Sequence, residues 1–88
     1  MMTYEIRLSK KANKELQKLS PEIAKRISIA IYKLASNPRA PNARSMVGSS
    51  SWRLRIGDYR VVYDIDDEII TVLVIRIGHR KNIYRKLG

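Results

Sequence analysis

Arginines are the residues best equipped for chemistry in this chain. Arg53 and Arg55 alternate with Trp52, Leu54 and Ile56. Successive side chains of a strand point to opposite faces, so both guanidinium groups share one face, about 7 Å apart. Arg60 follows a Gly57-Asp58 turn on the adjacent strand, and Arg76 and Arg80 come at the end of the last one. Each guanidinium is a planar, permanently charged donor fork, and several on one face can hold successive phosphates in bidentate fashion. A single exposed arginine is ordinarily solvated surface. Several on one sheet of a strongly basic chain point to a polyanion site.

Other chemistries find less support. His79 is the only histidine and there is no cysteine, which argues against a transition-metal site and excludes disulfides and thiol nucleophiles. Asp64, Asp66, Asp67 and Glu68 cluster at a turn, where a Mg²⁺ reading is weak because acidic turns are common. No serine-histidine-aspartate order, nucleophile elbow or phosphate-binding glycine loop is present. Cleavage of RNA needs fewer groups, because the 2′-hydroxyl is an internal nucleophile. Clustered cations stabilise the negative charge that builds on the phosphate, and orientation supplies much of the rest. Such a site would need no metal and would be strongly salt-sensitive. Tyr84, in the basic run Arg80 to Lys86, either stacks on an unpaired base or packs back on the sheet. Trp52, Tyr59 and Tyr63 fall on the apolar face and read as core.

The bulk properties agree. Eighteen Lys and Arg against eight Asp and Glu give a net charge of +10 over 88 residues. That charge fits a nucleic-acid partner. The length suits one domain over residues 1–88, and 44% hydrophobic residues argue against disorder. No segment reads as a signal peptide or membrane span, and a cytoplasmic setting is expected.

The positioning elements follow from periodicity. Tyr4, Ile6 and Leu8 alternate as a short strand. Ser9 caps a helix carrying Ala12, Leu16 and Leu19, and Ser20-Pro21 starts a second whose stripe is Ile23, Ile27, Ala30, Ile31 and Leu34. Asn37-Pro38 ends it. Residues 39–51 read as a linker. Strands are expected over Trp52–Ile56, Tyr59–Ile65 and Ile69–Ile77, the last nearly all apolar and so covered on both faces near the sheet centre. Gly78 should break it, and Asn82–Leu87 should form a short terminal helix. The expected class is α+β in the order β-α-α-β-β-β, a helical hairpin packed on one side of an antiparallel sheet.

The ordered set of helical hairpin, Trp52–Ile56, Gly57–Tyr63 and Ile77–Tyr84 resembles RelE of the RelE/ParE toxin superfamily over nearly the whole chain. The resemblance implies a fold related to microbial ribonucleases, cleavage of mRNA in the ribosomal A site, and silencing by a RelB-like antitoxin. It assigns Arg53 and Arg55 to a basic pair that is often lysine in RelE proteins. It assigns Arg60 to the scissile phosphate, Arg80 to a C-terminal catalytic position, and Tyr84 to base stacking. No cofactor or metal is implied. Arginine in place of lysine removes a tunable base, which leaves His79 as the nearest proton-transfer candidate. A +10 toxin calls for an acidic or amphipathic antitoxin that wraps it. Two further readings stay open: a ParE-like poison of DNA gyrase, and a nucleic-acid-binding module without catalysis.

Overall fold

The computed structural model describes residues 3–79. Arg80, Tyr84 and the expected helix over Asn82–Leu87 lie outside the described residues. The elements are β1 (Glu5–Leu8), α1 (Lys10–Gln17), α2 (Pro21–Lys33), β2 (Ala43–Ser45), β3 (Trp52–Ile56), β4 (Tyr59–Asp66) and β5 (Thr71–His79).

Local chemistry sets the boundaries. Ser9 Oγ accepts the Ala12 N–H at 3.0 Å and donates to the Ile75 carbonyl at 2.9 Å, so one hydroxyl caps α1 and fastens it to β5. Pro21 opens α2 behind Ser20, whose side chain makes no cap bond. Gly57, at φ 58°, takes the left-handed conformation of the β3–β4 turn.

The five strands form one sheet in the order β1-β5-β4-β3-β2. Ala12, Ile27, Ile31 and Leu34 of the helical layer join Leu54, Val61, Tyr63, Val72, Val74 and Ile77 of the sheet in a single buried cluster. Each fully buried aliphatic side chain contributes about 1.5–3 kcal/mol. The other face of the sheet carries no helix among the described residues.

The α+β class and the order of the expected elements hold, with four corrections. Ala43–Ser45, read as linker, forms edge strand β2, paired antiparallel to β3. The sheet is mixed, because β1 runs parallel to β5. β5 begins at Thr71 and passes through Gly78, while Ile69 and Ile70 belong to the turn, Ile70 at φ 50°. β5 lies inside the sheet between β1 and the central β4, near the centre as expected, yet Leu73 is 39% exposed on the helix-free face.

β1 covers only the first part of β5, Thr71 to Val74. Farther along, α1 takes over the edge. Glu15 accepts the Ile77 backbone N–H at 3.0 Å and pairs with Arg76 at 3.2 Å. A carboxylate therefore satisfies a donor that a sixth strand would otherwise meet.

Candidate nucleic-acid interface

Cross-strand register builds the site. Arg44 of β2 lies opposite Arg53 of β3, and Arg55 of β3 lies opposite Arg60 of β4. Neighbouring strands are about 4.8 Å apart, and residues two apart on one strand about 7 Å. The four arginines thus form two ranks across three strands on the helix-free face. Together with Asn42 they line a concavity of about 340 Å³. Like charges directly opposite each other destabilise a sheet.

The arginines differ in how they are held. Arg60 is 5% exposed, and its Nη1 donates to the Tyr59 carbonyl at 3.1 Å and to the Gly57 carbonyl at 3.4 Å. The β3–β4 turn thereby fixes the guanidinium at the floor of the concavity. Arg44 Nη1 donates to the carbonyls of Pro41 at 2.6 Å and Ala43 at 2.8 Å. Arg53 is half-buried and Arg55 exposed. Neither Arg44 nor Arg55 has a carboxylate partner among the described residues.

The loop that delivers Asn42 and Arg44 is itself fastened. Tyr63, whose ring is fully buried, donates its hydroxyl to the Pro38 carbonyl at 2.5 Å, and burial pushes its pKa up to about 12. Arg39 pairs with Asp67 at 2.8 Å and lies 5.7 Å from the Trp52 ring centroid. Tyr4 also donates to Asp67, at 2.6 Å. The bond from Arg39, followed by that from Tyr4, lowers the Asp67 pKa below the usual carboxylate value.

The acidic turn has structural employment too. Asp66 Oδ1 accepts the N–H groups of Glu68 and Ile69, and Asp64 accepts from Ser51 Oγ at 2.7 Å. No group of three or more metal-ligating side chains occurs among the described residues.

Of the expected site residues, the structure brings Arg53, Arg55 and Arg60 together. Arg80 and Tyr84 lie outside the described residues. His79 is registered opposite Tyr59, edge-on to its ring at 5.6 Å and 75°. Tyr59 packs on the core, so His79 falls on the helical face rather than among the arginines. Arg76, counted with the basic face in sequence, is instead buried against Glu15. Sequence reasoning missed Arg44 and Asn42, because three residues of β2 are too few to show alternation.

A five-stranded mixed sheet with a helical hairpin on one face and arginine ranks on the other defines a small basic α+β protein with a cationic concavity. Comparison with known proteins narrows this. The profile of the ParE toxin of type II toxin–antitoxin systems, parDE, matches residues 6–84. Toxin RelG of Mycobacterium tuberculosis is 38% identical over 97% of this chain and all of its own length. The mRNA interferase toxin RelE of Escherichia coli K12 is 30% identical over 91% of this chain and 86% of its own. Among solved structures, the toxin–antitoxin complex RelBE2 of M. tuberculosis contains a chain that superposes with a TM-score of 0.83 at 30% identity, covering 91% of this chain and 94% of that one. The chain belongs to the RelE/ParE family of toxins of type II toxin–antitoxin systems.

Proposed function

We propose that this toxin is a ribosome-dependent endoribonuclease that cuts mRNA in the A site without a metal ion. The convergence of arginines from three adjacent strands on one concavity carries this reading. The relative named an mRNA interferase supports it. The 2′-hydroxyl gives up its proton to water as its oxygen attacks the adjacent phosphorus, the bond to the 5′-oxygen breaks, and that oxygen takes a proton from water, so the products are a 2′,3′-cyclic phosphate and a 5′-hydroxyl. Arg60 and Arg55 stabilise the charge that accumulates on the non-bridging oxygens. Arg53 holds the backbone of the message. Arg80 adds a further cation and Tyr84 stacks on the base, as the family resemblance implies. His79, on the helical face, supports the site through Tyr59 rather than touching the scissile group. The toxin works in the cytoplasm and is silenced by a cognate antitoxin, as the solved complex of a relative suggests. That antitoxin is acidic or amphipathic, to match the +10 surface.

The test is in-vitro translation of a defined message with purified toxin, followed by primer extension. New 5′ ends at ribosome-occupied codons, abolished by Arg60→Ala, are expected. An intact message with gyrase-dependent DNA breaks would transfer the protein to the gyrase-poison reading. An intact message and intact DNA would leave a binding module.

A further inference from the structure

We propose that Arg44 and Arg53 form a second phosphate subsite, one nucleotide along the message from the subsite of Arg55 and Arg60. This deepens the RNA reading above and rests on it. Register places Arg44 opposite Arg53 and Arg55 opposite Arg60, with all four on the wall of one concavity. The ranks are separated by two strand residues, about 7 Å. That span is comparable to the step between adjacent phosphates on an extended single strand.

Arg44 is prepared for such a contact. Two backbone carbonyls, of Pro41 and Ala43, hold Nη1 and fix the plane of the guanidinium. Nε and Nη2 remain for a phosphate, and no carboxylate neutralises the group among the described residues. A donor fork already oriented loses less freedom on binding than a mobile one. Asn42 donates to the Arg55 carbonyl at 3.4 Å, which ties the start of β2 to the neighbouring rank. Arg44 is thus a binding residue for the flanking phosphate, and Arg60 serves the scissile one.

The test reads binding rather than cleavage, so it succeeds or fails independently of the nuclease reading. Two RNA trinucleotides are titrated into the purified full chain by NMR, both 2′-deoxy at the cleavable position. One carries two phosphodiesters, and in the other one link is an uncharged methylphosphonate. Wild type is expected to prefer the doubly charged trinucleotide. Arg44→Ala should lose roughly tenfold affinity for it, and its slope against log salt should flatten by about 0.7. Affinity for the singly charged trinucleotide should stay within about twofold. Arg44→Lys, which keeps the charge and loses the fork, should fall between, and it serves as the variant if Arg44→Ala does not fold. Equal losses on both trinucleotides, no loss on either, or no wild-type preference between them would overturn the subsite. Intact binding behaviour with no cleavage on ribosomes would overturn the nuclease reading alone.

Discussion

In the proposed mechanism the chemistry concentrates on Arg60. It is the most buried of the arginines in the concavity, and two backbone carbonyls fix it. A buried, preorganised cation stabilises developing charge far better than a solvated one. Arg60→Ala should lower single-turnover cleavage of ribosome-bound message by about 10²–10³-fold, while His79→Ala keeps most of it. Equal losses in the two variants would mean that His79 reaches the reacting groups. At this scale the sequence was legible where alternation was strong. Arg53 and Arg55 announce their shared face through Trp52, Leu54 and Ile56. Arg76 deceives, because a guanidinium that wraps over a strand edge to Glu15 follows no period. For His79, position in sequence beside a basic run does not fix which face of β5 it occupies, and register places it opposite Tyr59.

Among elements, the junction of α1 with β5 is the most exposed to failure. Glu15 serves both the Ile77 N–H and the buried Arg76. Glu15→Ala leaves a donor and a buried cation unsatisfied and should cost about 2–3 kcal/mol. The urea midpoint should fall with an unchanged slope. The loop before β2 depends instead on Tyr63, Arg39, Tyr4 and Asp67. Because the Asp67 pKa is depressed in the folded protein, its contribution is present above the unfolded carboxylate value and is lost as pH falls through the folded one. Asp67→Asn should flatten the acid limb of a stability-against-pH curve. Tyr63 acts at the other end. Its pKa of about 12 means that stability declines once pH passes the ordinary phenol value of about 10, and Tyr63→Phe should blunt that decline. The two helices, the hairpin and the central run were readable from periodicity and turn residues. β2 was not, since pairing with β3 creates that strand and its own three residues do not. The parallel β1–β5 pair was equally hidden, because direction is decided by the crossover through both helices.

For the molecule as a whole, the asymmetry of the sheet matters most. One face buries the core under the helices, and the other carries the arginine ranks at the β2–β4 side. The Leu73 and Asp64 surface at the β1–β5 side holds no comparable cluster. Binding of single-stranded RNA should weaken steeply with salt, with a slope of about −0.7 for each phosphate engaged. Measurement across a salt series counts those phosphates. A slope near zero would mean that the ranks do not meet the backbone.

The chain order of the sheet has a consequence during synthesis. β5 is the last of the described strands to leave the ribosome, yet it lies between β1 and β4 and contributes three members of the buried cluster. A nascent chain that has yet to release this strand has neither a closed core nor the backing that holds Arg60 in place. Until β5 emerges and inserts between β1 and β4, the strand that carries Arg60 lacks one of its two neighbours, so the arginine concavity is assembled only after the last of the described strands.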